Sequence, residues 1–183
     1  MNGAHIHLVS NHFPIVGVFF AIVVSAYGAF KKDQKVFKVG LALFVISFLF
    51  GIPAYFSGEG AEEVVEHMSG ISEKLIHPHE EAAEKAIVLL AILGISSIAG
   101  FFVWKKKEEG IPNWFQYSIL GLGFVSLLLL GWTANLGGKI HHPELRSGFK
   151  VKEHDEKDEE HEKSGHEGKE AEKKELSGEN NKK

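Results

Sequence analysis

The chain of 183 residues contains no cysteine. That absence excludes thiolate metal sites, disulfides and covalently attached c-type haem, which needs a Cys-x-x-Cys-His string. Charge is missing from four long apolar stretches, so no acid or histidine sits at mid-membrane where an ion-permeation site is expected. No nucleophile motif is visible, which disfavours hydrolytic enzymes and makes a non-enzymatic role the expectation. Large apolar residues are almost absent from positions 150–183. The net charge of −4 averages this polar tail with an apolar body, so it is no guide to partners.

What is present is chiefly apolar helix. The four stretches are 13–30 (FPIVGVFFAIVVSAYGAF), 39–56 (VGLALFVISFLFGIPAYF), 86–104 (AIVLLAILGISSIAGFFVW) and 114–134 (WFQYSILGLGFVSLLLLGWTA). Each approaches the roughly 20 residues that cross a bilayer core. Four such segments in so short a chain leave too little polar surface to cover a soluble core. Tyr55, Trp104, Trp114 and Trp132 fall near span ends, as an aromatic belt requires. The fold class is therefore all-α: an integral membrane four-helix bundle over residues 1–149, followed by a disordered, histidine-containing tail at 150–183.

The short connectors hold Lys31, Lys32, Lys35 and Lys38, and Lys105, Lys106 and Lys107. The positive-inside rule places both in the cytoplasm and both termini outside. The opening Met-Asn-Gly-Ala-His has no positive n-region or cleavage site, so the first span is expected to be retained. The location expected is a bacterial inner membrane, multi-pass.

Histidines fall on one side of this topology. His5, His7 and His12 precede or open span one. His67, His77 and His79 lie between spans two and three, and His141 and His142 follow span four. The short connectors have none. Neutral imidazole is the commonest metal or haem-iron ligand. His7 and His12 are five apart, about 140° round a helix, so they cannot both face inward from one helix. Pro14 suits a first helical turn, with Asn11 or His12 near the cap and His7 above it on an irregular lead-in. His79 recurs at helical spacing with Ala83 and Ala86, and Pro78 is expected to open that helix. Of the adjacent His141 and His142, at most one can face inward. Gly137 and Gly138 lack side chains, so a backbone or a flat ligand can approach.

Residues 61–76 alternate apolar and acidic positions near helical period, which predicts an amphipathic lid across the bundle mouth, broken near Gly70. Pro53 invites a kink in span two. Glycines 94, 100, 121 and 123, with Ser96, Ser97 and Ser126, predict close helix packing. The tail carries nine lysines, twelve acids and His154, His161 and His166. It is expected to act as a solvated, solubilising segment, or as a weak collector of metal ions.

Two strings resemble a known family. HLVSNHFPI at 7–15 is similar to the His-Pro-x-x-Val-His-Phe-Pro start of the small bacterial four-helix membrane proteins grouped as domain of unknown function 2231. GWTANLGGKIHHPE at 131–144 resembles that family's Thr-Gly-x-x-Gly-Gly ending with its following histidine. The likeness spans residues 5 to about 146. It departs in Ser-Asn before His12 and in the doubled histidine. It implies a four-helix membrane fold and no defined activity.

Three readings follow. The first is a cofactor-binding, electron-transferring membrane protein. It would hold haem b or a transition-metal ion with His7, His12, His79, His141 or His142 beside Gly137 and Gly138; a bare metal would take His12, His79 and His142. Its partners would be the bilayer, membrane redox subunits or further copies of itself, with no nucleic acid. The second is a cofactor-free structural or assembly subunit. The third is a metal-handling protein that uses the tail to collect ions.

Overall fold

The first helix begins well before the apolar run does. In the computed structural model, which describes residues 3–68, 71, 73–104 and 110–146, Gly3–Ser10 form α1 and His12–Lys31 form α2. The segment before Pro14, expected to be irregular, is helical. Pro14 lacks an N–H, so the Ser10 carbonyl loses its partner four residues on and α1 ends there. Asn11 keeps right-handed helical angles (φ −65°, ψ −24°), so α1 runs into α2 with little change of course.

A two-residue link turns the chain. Lys32 adopts φ 54°, its N–H bonds to the Ala29 carbonyl at 3.1 Å, and the Asp33 N–H reaches the Gly28 carbonyl at 2.8 Å. These are the paired bonds of a left-handed helix ending. The Asp33 side chain then caps α3, Gln34–Phe56, accepting from the Lys35 and Val36 N–H groups. Short α4, Gly58–Val65, follows, then α5, Glu73–Val103, and α6, Asn113–His141, with a 3-10 turn at Pro143–Leu145. Pro78 lies inside α5 rather than opening it. Pro78 is the sixth residue of α5, so its missing N–H leaves the Lys74 carbonyl without its helical partner, a loss the helix absorbs near its N-terminal end. The amphipathic stretch 61–76 is therefore split: its first part is α4, its last turn belongs to α5, and Gly70 lies outside the described residues, as does the whole tail.

Four stretches, Gly3–Lys31, Gln34–Val65, Glu73–Val103 and Asn113–His141, are long and apolar enough to cross a membrane. α2 packs on α3, α3 on α5, α5 on α6 and α6 back on α2, closing a four-helix bundle. Buried positions recur every three or four residues: Pro14, Val18, Ala21, Ser25 and Gly28 on α2. That is the inner seam of a nearly antiparallel bundle. Ser47, Ser97 and Ser126 face inward and return their hydroxyls to carbonyls four residues back, at 2.8, 2.8 and 2.9 Å. Small residues set the helix spacing. Gly94 abuts Phe48, Gly100 the Phe115 ring and Gly123 the Phe44 ring, whereas Gly121 faces open space and takes no part.

The core is uneven along the bundle. Phe37, Leu41, Phe44, Leu90, Leu93 and Ile119 fill its middle and its lysine end. Toward the histidine end the inward residues shrink to Gly51, Ala54, Ala82 and Ala86. Above them Val65, Ile76 and Ile140 form a separate small cluster that ties α4, α5 and α6 together.

Candidate functional site

The helical lead-in fixes which histidine enters the bundle. With α1 continuing into α2, His7, Asn11, Pro14 and Val18 share one face at spacings of four, three and four. Pro14 and Val18 are buried, so His7 points inward and is half-buried. His12, the first residue of α2, is exposed. On α5 the same logic selects His79, which lies in register with buried Ala82, Ala86 and Leu90.

These two rings meet. Their centres are 6.3 Å apart and their planes stand at 86°. Each is held by a backbone carbonyl at Nδ1. His7 Nδ1 lies 2.8 Å from the Ala54 oxygen in the last turn of α3. His79 Nδ1 lies 2.9 Å from the Thr133 oxygen of α6. A carbonyl oxygen only accepts, so Nδ1 carries the proton in both rings and donates it. In the neutral imidazole the lone pair then resides on Nε2. Fixing one ring nitrogen by a backbone carbonyl is how metal-ligating histidines are oriented. Four segments thus build the site: α1 and α5 supply the rings, and α3 and α6 supply the acceptors.

The glycine pair has specific neighbours. A Cβ on Gly137 would come within 3.0 Å of the His79 Cε1, so the missing side chain is what lets the imidazole reach the Thr133 carbonyl one turn earlier. The room expected beside Gly137 for a backbone or a flat ligand is taken by His79 itself, and Gly138 faces Leu145. His141 is exposed at the last turn of α6, at the same end of the bundle as His7 and His79. His142 is exposed and bonds through Nδ1 to Glu144 at 2.9 Å. The Glu144 carboxyl is held below the usual carboxylate range by its own backbone N–H and then by that imidazole.

The other described histidines stay at the surface. His67 bonds to the Glu63 carbonyl at 2.8 Å, and His77 sits 3.3 Å from Glu81. The trio His12, His79 and His142 does not converge: among the described residues no three histidine, aspartate or glutamate side chains form a group able to hold a metal ion. The arrangement that does form is the pair His7 and His79, with His141 beside it and Gly137 beneath one ring.

Sequence reasoning missed a second polar feature at the far end. Gln34 accepts from the Ile111 N–H at 2.9 Å, and buried Gln116 donates to the Ile111 carbonyl at 2.7 Å. Lys38 reaches the Trp104 carbonyl at 3.3 Å. Gly110, at φ 71°, makes the turn that delivers Ile111. A lone glutamine one turn into α6 was the available signal.

Residues 3–143 match the family model described as a predicted membrane protein, DUF2231. The chain belongs to this family. The match covers α1 through α6 and so includes His7, His79 and Gly137. No curated protein and no solved structure matches the chain.

Proposed function

We propose that the protein holds a transition-metal centre, haem iron or a metal ion, at the histidine end of its bundle, and takes part in electron transfer at the membrane surface. The observation that carries this reading is the pair of inward imidazoles whose Nδ1 atoms are both tied to backbone carbonyls, leaving two Nε2 lone pairs without a protein hydrogen bond. Both rings are half-buried and neither Nε2 is a fully buried orphan, so a ligand that reaches the end of the bundle can engage them. The lysine asymmetry supports a bacterial inner-membrane location with the histidine end and both termini outside. Redox subunits of the same membrane, or further copies of the chain, are the partners this role requires.

The test is the absorption spectrum and elemental content of protein purified from cells supplied with ample haem and metals. A Soret band, or a near-stoichiometric transition metal that survives replacement of His154, His161 and His166, is the expected result. Absence of both would leave a cofactor-free structural subunit, in which His7 serves only to cap α3. A topology reporter active only in the cytoplasm should work at residue 34 and fail after residue 150; the reverse pattern would overturn the orientation.

A further inference from the structure

The histidine end carries nine glutamates, Glu59, Glu62, Glu63, Glu66, Glu73, Glu80, Glu81, Glu84 and Glu144, against only Lys74, Lys85, Lys139 and Arg146. A mouth lined predominantly by one sign of charge raises the local concentration of counter-ions. The acids lie on α4 and its C-terminal end, the first turns of α5 and the 3-10 turn after α6. The neutral imidazole pair lies inward of them. Cations are drawn to this end, and among the described residues the inward lone pairs they meet there include those of His7, His79 and the unpartnered Asn11 oxygen.

We infer that His7 and His79 form a two-imidazole site for a bare transition-metal cation of the copper or zinc class, loaded from the outer solution through the glutamate-rich mouth. This rests on the metal-centre reading above and narrows it. Distance supports it. A metal–nitrogen bond of about 2.0–2.1 Å on each side, plus roughly one ångström from nitrogen to ring centre, lets two imidazoles share one ion at separations up to about 6.3 Å when the two bonds are collinear, as two-coordinate Cu(I) takes them; tetrahedral Zn(II) draws the ring centres in to roughly 5 Å. The observed separation is 6.3 Å. Imidazole donors suit copper and zinc, whereas hard cations such as magnesium and calcium want oxygen. The close fit of Gly137 against His79 favours an ion over a macrocycle, because the face of the glycine pair is already occupied. Water, or His141 swung inward, completes the coordination.

Asparagine separates ligation from helix capping. Its amide N–H falls where the imidazole Nδ1–H does, so His7→Asn and His79→Asn keep the donor to Ala54 or Thr133 but remove Nε2. Detergent-solubilised full-length protein, with His154, His161 and His166 replaced by asparagine, would be titrated with Zn(II) alone and with Cu(I) alone. One equivalent of at least one ion should bind. His7→Asn and His79→Asn should each weaken it by about 100-fold or more while thermal stability holds, and Gly137→Ala, by pushing the ring aside, by about 10–100-fold. His12→Asn and His67→Asn should leave binding unchanged. Binding that survives both His7→Asn and His79→Asn overturns the site. A Soret band in the purified protein, lost on His79→Asn, would overturn the bare-ion assignment while sustaining the metal-centre proposal. Failure to bind either ion, with no haem present, would sink both.

Discussion

The two ends of the bundle are built on opposite plans. At the lysine end, Phe37, Leu41 and Ile119 pack to near-zero exposure, and a glutamine clasp satisfies the loop backbone at Ile111. At the histidine end small residues such as Gly51, Ala54, Ala82 and Ala86 face inward beneath the Val65, Ile76 and Ile140 cluster, and the polar groups include two imidazoles whose Nε2 atoms make no protein hydrogen bond. One Asn11 side-chain oxygen is also buried there without a hydrogen-bond partner. The first plan is dominated by large apolar side chains and the glutamine clasp, with the Ser25 hydroxyl, packed against Gly40, as its one buried oxygen without a hydrogen-bond partner among the described residues. The second has small neighbours and two imidazole Nε2 atoms that make no protein hydrogen bond. Under the proposed metal centre, stability and function separate between the two ends of the bundle.

That separation makes graded predictions. The largest loss of stability should come from the filled half. Phe44 is fully buried, and Phe44→Ala should cost about 3–5 kcal/mol in denaturant titrations in micelles, with the metal affinity of the surviving folded fraction unchanged. A smaller loss is expected from the clasp. Gln116→Leu removes the 2.7 Å donor to Ile111 and should cost about 1–3 kcal/mol, because it leaves a buried carbonyl poorly served. If Phe44→Ala instead abolished metal binding at full occupancy of the fold, the two halves would not be independent.

The smallest effect is expected at the exposed His142–Glu144 pair. Because the carboxyl is held below its ordinary range, its contribution is present above the normal carboxylate pKa and is lost as pH falls through the lowered value. The group is fully open to solvent, where such pairs contribute little. Glu144→Gln should therefore give superimposable melting curves from neutral pH down to that acid range. A clear downward shift at neutral pH would show that the end of α6 matters more than its exposure implies.

The four spans, their antiparallel order and the gathering of histidines at one end were legible because apolar length and lysine placement report them directly. Choosing His7 over His12 was not, because the two differ by about 140° and the choice depends on whether the chain before Pro14 is helical. Pro14 stops the ladder at Ser10 yet leaves Asn11 in helical conformation, so the phase of α2 extends upward to His7. The start of α5 was misplaced for a related reason: Pro78 reads as a first helical residue, but the helix accepts the loss of one bond at the Lys74 carbonyl, and Glu73 begins it. Gly137 was recognisable as a site of close approach. That the approaching group is His79, on the neighbouring helix, only the packing of α5 on α6 reveals.

The most direct test is X-ray absorption at the metal edge of Zn(II)- or Cu(I)-loaded full-length protein carrying asparagine at 154, 161 and 166. The account predicts imidazole scattering from two histidines, with metal–nitrogen distances of about 2.0–2.1 Å, falling to one histidine in His7→Asn and in His79→Asn. A spectrum dominated by carboxylate and water oxygens, unchanged in those two variants, would contradict it.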